Sequence, residues 1–104
     1  MMKIRKSTTP SIKSVPTSSL YQAIAILNNP EEARKFFEDL CTPAEVQALA
    51  DRWQVVGLIK AGYSYREIYE QTGVSVTTVG RVARCLMLGE GGYNLVYQRL
   101  QHRA

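Results

Sequence analysis

The sequence holds one histidine and two cysteines in 104 residues. His102 lies near the C-terminal end, and Cys41 and Cys85 are far apart with no CxxC or Cys/His spacing. Neither cysteine has a sequence neighbour able to activate it as a nucleophile. A metal site and a disulfide framework are not supported, and each cysteine reads as a small buried apolar side chain in a reducing compartment. No phosphate-cradling glycine motif and no carboxylate cluster occurs; Gly89, Gly91 and Gly92 read as a helix break. The chain is therefore not equipped as an enzyme. No apolar run approaches the ~20 residues that span a bilayer. The basic N-terminus lacks the apolar segment of a secretory signal, so the expected location is the cytoplasm. Alternation of Val, Ile and Thr with polar residues is also missing, which leaves an all-α chain.

What is present is an ordinary globular composition, with 45% hydrophobic and 21% charged residues, sufficient for one modest core. The net charge of +4 is unevenly distributed. Lys3, Arg5, Lys6 and Lys13 give the first 19 residues four positive charges and no acid. Residues 20–62 are net −2 and residues 63–104 net +2. The folded part is thus close to neutral, with its positive end in the second half; this is compatible with a nucleic-acid partner but does not single one out. Residues 1–16 are basic, rich in Ser and Thr, and closed by Pro10 and Pro16; they read as a flexible tail. A tail of that kind could add phosphate or minor-groove contacts, could be a merely solvated end, or could be a transit peptide. The helical domain is expected over residues 17–104.

Four helix starts share one grammar. Ser19 with Gln22 opens a helix over Leu20 to Asn28, and Asn29-Pro30-Glu31-Glu32 opens a second through Leu40. Thr42-Pro43-Ala44-Glu45 opens a long helix that closes near Gly62. Ser64 with Glu67 opens the fourth, which Gly73 ends; Ser75 can cap the next. Tyr93, Val96, Tyr97 and Leu100 mark a last amphipathic helix, giving five to six in all.

Residues 64–88 carry the pattern most suggestive of function. Ile68, Val74, Val79 and Val82 turn two short helices toward one core, across a tight turn. That is the helix-turn-helix pattern, whose second helix is offered to the DNA major groove. With Val79, Val82, Ala83 and Leu86 inward, Thr77, Gly80, Arg81 and Arg84 point outward. Thr77 and Thr78 can bond base edges or phosphates, and Arg84 suits phosphate or guanine or simple solvation. Gly80 either allows close approach to DNA or packs on a neighbouring helix. Tyr69 is a departure, since the residue four before the turn glycine is usually small.

The long helix is apolar on two sides. Val46, Leu49, Trp53 and Val56 form one stripe, and Val55, Leu58 and Ile59 lie roughly opposite. Either it is the central helix of the domain or its second face packs on another copy. Together with Tyr93 and Tyr97 these residues are the expected dimer interface.

Thr42-Pro43-Ala44-Glu45, Ala48-Leu49-Ala50-Asp51-Arg52, Ser64-Tyr65-Arg66-Glu67-Ile68 and the Gly73 turn resemble the bacterial tryptophan repressor superfamily. Leu40-Cys41-Thr42-Pro43-Ala44-Glu45 and Asp51-Arg52-Trp53 look most like its Trp-repressor-like YerC/YecD branch. The resemblance spans about residues 20–97. It implies an intertwined all-helical homodimer that binds double-stranded DNA and regulates transcription, as a repressor. It also accounts for Tyr69, because that family too lacks a small residue there. Tyr65, Arg66 and Tyr69 match positions that lie against phosphates, and Val76, Thr77 and Gly80 match positions that face the groove. Arg52 and Arg81 match the arginines that hold the co-repressor's indole, and Thr42 also matches. Val82 stands where the family has glycine and Cys85 where it has a ligand-binding serine, so tryptophan is not the expected ligand. Arg52 and Arg81 are left with another small-molecule effector or a structural role. A protein-interaction module using the same helix-turn-helix surface is the alternative function, suggested by the neutral core and by Glu67 and Glu70.

Overall fold

The computed structural model describes residues 16–103, in which the chain forms six helices and no strand. They are α1 (Thr17–Ala25), α2 (Pro30–Leu40), α3 (Pro43–Lys60), α4 (Tyr65–Thr72), α5 (Val76–Leu88) and α6 (Gly92–Arg103). The all-α expectation holds. The described residues divide after Leu40 into two compact units. The basic tail lies outside them except for Pro16.

The first unit carries α1 and α2. The start of α1 differs from the sequence expectation: Pro16, not Ser19, occupies the N-cap, and no side chain bonds there. Pro16 is fixed at φ −61° with extended ψ, which already aims the chain into a helix, and the Ser19 amide donates to the Pro16 carbonyl at 3.2 Å. The far end tightens at Ile26 and Leu27, whose amides reach back three residues to Ala23 and Ile24. The helix therefore stops three residues short of Asn28. Asn29 caps α2 as expected, its Oδ1 accepting from the Glu32 amide at 2.9 Å. Glu32 reaches one residue further back than a standard box and accepts from the Asn28 amide at 2.9 Å. Arg34 fans between Glu31 at 2.6 Å and Glu38 at 3.1 Å. The Arg34 hydrogen bond holds the Glu31 carboxyl below the ordinary range and raises the guanidinium in turn.

The second unit holds α3 to α6. Thr42 and Ser64 form full capping boxes, each hydroxyl accepting from the amide three residues on and each Glu returning to the cap amide. The end of α3 is a Schellman motif. Tyr63 N–H reaches the Leu58 carbonyl and Gly62 N–H the Ile59 carbonyl, with Gly62 at φ 95°. Val55 and Val56 from α3, Ile68 from α4, Val74 from the turn, and Val79 and Val82 from α5 make the core. Trp53, Leu58, Ile59, Leu86, Tyr93 and Tyr97 pack against it.

One sequence assignment is corrected by that core. Val55 and Val56 are both 0% exposed within the single chain and have no surface left for a dimer partner. The late turns of α3 look apolar all round because α4, α5 and α6 surround them. The earlier part of the helix, from Pro43 to Arg52, has no fully buried residue, and Leu49 there is exposed.

Candidate nucleic-acid interface

Two short helices and a three-residue turn present this surface. Gly73 ends α4 at φ 78°, a left-handed conformation that costs glycine nothing, and its amide bonds the Tyr69 carbonyl at 2.8 Å. Thr72 braces the same turn: its hydroxyl donates to the Ile68 carbonyl at 2.7 Å and accepts from the Val74 amide at 3.0 Å. Sequence reasoning missed Thr72, although a threonine before a turn glycine can bond back to the i−4 carbonyl. Ser75 then caps α5 by accepting from the Thr78 amide at 3.1 Å. Ile68, Val74, Val79 and Val82 lock both helices to α3, so the head is anchored by packing rather than by charge.

Val76, Thr77, Arg81 and Arg84 are exposed along one side of α5, with Gly80 half-buried among them. Buried Val79, Val82 and Ala83 occupy the other side, as the helical wheel predicts. Tyr65 and Tyr69, the first and fifth residues of α4, are exposed beside it. A Cβ added at Gly80 would lie 3.8 Å from the Tyr65 ring, an ordinary contact. Gly80 thus sits under the Tyr65 ring without needing to be glycine for it. Arg66 is also exposed, but it pairs with Glu70 at 3.4 Å, which offsets part of its charge. Thr78 differs from Thr77. It is half-buried, and its hydroxyl accepts from Ser75 Oγ at 3.0 Å, so Thr77 carries the open hydroxyl of the first turn.

The residues matched to an effector site are only partly assembled. Arg81, Arg84, Cys85, Leu88 and Gly89 line an open pocket of about 170 Å³. Thr42 and Arg52 are not part of this lining, and the Thr42 hydroxyl already accepts from the Glu45 amide. The volume is below the roughly 300 Å³ at which small-molecule pockets begin. A second pocket, about 290 Å³, lies between α3 and α6 and is lined by Trp53, Gln54, Gly57, Tyr97, Leu100 and Gln101. Two of the residues expected at the dimer interface, Trp53 and Tyr97, thus share one concave wall.

The base of α5 is held by residues that no motif would have flagged. Lys60 Nζ donates to Asn94 Oδ1 at 2.7 Å, and Asn94 Nδ2 donates to the Leu86 carbonyl at 3.3 Å. That carbonyl is one of the last four of α5, which no helical amide can satisfy. Lys60 also lies over the Tyr97 ring, 5.1 Å from its centroid. Lys60 and Asn94 are 34 residues apart, so neither local periodicity nor capping chemistry could connect them.

The family model for the Trp repressor protein matches residues 17–101, nearly all of the described chain. The chain belongs to the Trp repressor family. Among its relatives is the uncharacterized protein YerC of Bacillus subtilis, 39% identical over 82 residues that make up 79% of each chain. A solved structure of a candidate Trp repressor from Staphylococcus aureus is 42% identical, covers 81% of this chain and 84% of its own, and superposes with a TM-score of 0.76. A TrpR-like protein from Eubacterium eligens superposes with a TM-score of 0.78 at 39% identity, covering 86% and 93% of the two chains. The fold is therefore that of the Trp repressor family, and α4 with α5 is its helix-turn-helix. No helix of the described residues is long and apolar enough to cross a membrane.

Proposed function

We infer that this Trp repressor family member is a sequence-specific DNA-binding regulator of transcription, of the repressor kind, working as a homodimer. The observation that carries the reading is the reading head itself. An outward stripe of Val76, Thr77, Arg81 and Arg84, with Gly80 half-buried among them, projects from a helix whose opposite side packs on the core, beside exposed Tyr65, Arg66 and Tyr69. The acids that favour a protein-interaction surface have local roles: Glu67 closes the α4 capping box and Glu70 pairs with Arg66.

The dimer is supported by apolar surface. Met87 and Leu88 at the end of α5 are 81% and 74% exposed, and Leu49, Leu95, Val96 and Leu100 are exposed along α3 and α6. In the first unit neither α1 nor α2 buries any residue fully, though both carry apolar stripes. A second copy covering these side chains would remove them from water. Two heads on one dimer would enter successive major grooves about 34–36 Å apart. The cytoplasm, with a DNA-bound share at the nucleoid, is the compartment this role requires.

The test is retention of genomic DNA fragments by wild type and by Thr77→Ala/Arg84→Ala at rising salt. Wild type is expected to select fragments, with affinity falling steeply as salt rises. A double variant that selects the same fragments equally well refutes the assignment of α5 as the reading helix. Light scattering at micromolar concentration checks the dimer separately, and a monomer mass refutes the two-groove geometry.

A further inference from the structure

The first five residues of α5 contain no side chain that can make a bidentate hydrogen bond; the first that can is the exposed Arg81. From Val76 to Gly80 the sequence is Val-Thr-Thr-Val-Gly; there is no Asn, Gln, Arg or Lys to pair with adenine or guanine edges. Val79 is buried and Thr78 closes the cap, so the outward groups are the Val76 isopropyl group and the Thr77 hydroxyl and methyl, with Gly80 half-buried beside the Tyr65 ring. Val76 is 50% exposed at the first position of α5, the end of a recognition helix that meets base edges. The Tyr65 ring, 44% exposed and adjacent to Gly80, adds a second apolar wall. The cationic members of the stripe, Arg81 and Arg84, follow Val76 by five and eight residues, about 7.5 and 12 Å along the helix axis, and Arg84 so lies toward the groove's edge and its phosphates.

An apolar end of a reading helix has one complementary group in the major groove. Of the four bases only thymine presents a methyl there. We propose that Val76, next to the Thr77 methyl and one turn before the Gly80 that the Tyr65 ring covers, reads thymine C5-methyl groups, so that the placement of thymines sets part of this protein's choice of site. The inference rests on the DNA-reading function above and names what that head recognises. Gly80 lets the helix backbone come near enough for so short a side chain as valine to reach the methyl.

The experiment uses the full chain. Duplexes are selected from a random-sequence 30-base-pair pool, and the best binder is resynthesised with deoxyuridine replacing each thymidine in turn. Deoxyuridine removes the methyl and keeps base pairing intact. At one or two thymines per half-site, binding by wild type is expected to fall about fourfold per methyl, the transfer contribution of one buried carbon. Val76→Ala is exposed, tolerable in a helix, and expected to bind the thymine duplex about as wild type binds the deoxyuridine one. It is also expected to be indifferent to the replacement. Selected binding with no loss at any deoxyuridine overturns the methyl reading and leaves the DNA-reading function standing. Equal deoxyuridine losses in wild type and Val76→Ala overturn it as well, because the sensitivity then comes from duplex shape. A pool from which no sequence is enriched refutes the underlying function and the inference with it.

Discussion

Replacing Gly80 with alanine separates what this position does for the fold from what it does for DNA. In the free chain the new methyl would stand 3.8 Å from the Tyr65 ring, at van der Waals distance, so nothing has to move. Gly80 lies in the interior of α5 with helical backbone, where glycine is disfavoured relative to alanine by about 0.8–1 kcal/mol. Gly80→Ala is therefore expected to stabilise the chain by up to about 1 kcal/mol. For a domain of this size that is a rise in Tm of roughly 4–8 °C. Binding should move the other way. The added methyl projects from the stripe between Val76 and Arg84, and one carbon forced into a packed contact costs about 1–3 kcal/mol, a loss of fivefold or more in affinity. Thermal unfolding by circular dichroism gives the first quantity at fixed protein concentration. Fluorescence anisotropy with a selected duplex at fixed salt gives the second. A destabilised variant would refute the packing of Tyr65 beside Gly80. A stabilised variant with unchanged affinity would refute the placement of Gly80 against the groove.

Other perturbations probe the core, the caps and the charges. Ile68→Ala removes the largest fully buried side chain of the second unit and is expected to cost about 2–5 kcal/mol in chemical denaturation, with loss of DNA retention. Ser64→Ala deletes the hydroxyl half of the α4 capping box and is expected to cost about 0.5–2 kcal/mol, whereas Ser19→Ala, at a position with no capping bond, should leave stability within about 0.5 kcal/mol. The Glu31 carboxyl is held below its ordinary value by Arg34, so the bond's contribution to α2 is present above about pH 4.5 and is lost as pH falls through the depressed pKa. Carboxyl carbon shifts in an NMR titration should show a Glu31 midpoint below that of an unpaired glutamate. Because the pair lies on the surface, global stability should barely change, and a large acid-side loss abolished by Glu31→Gln would contradict this.

The sequence carried the elements whose causes are local. Thr42 and Ser64 announced their helices because a capping box is chemistry between residues three apart, and Gly73 announced the turn because it alone tolerates the backbone required. The α1 start was misread for the same kind of reason. A Ser-x-x-Gln spacing was available at Ser19, but the rigid backbone of Pro16 had already begun the helix. What stayed hidden was set by distant packing. At 100° per residue the two apolar sides of α3 can be counted, but which side the chain itself takes depends on where residues 68–97 fold back. Periodicity alone therefore puts Val55 and Val56 on a partner, whereas the chain buries them in its own core. Which side of α5 faces outward was largely legible from its inward positions. The engagement of Thr78 with Ser75 and the bond from Lys60 to Asn94 are set by the folded chain and not by local sequence.

Gly89 sets how the chain leaves α5. It ends α5 with ordinary negative φ, yet a Cβ there would fall 2.5 Å from the Cys85 carbonyl oxygen, closer than any side chain can be accommodated without moving the backbone. The exit from the recognition helix is thus a seam with a single permitted residue. Reading heads exchanged between family members should be cut after this glycine and not before it. A graft that ended at Leu88 and resumed on a scaffold with any other residue would change the direction in which the chain leaves the head, and so rotate whatever sequence preference it carried.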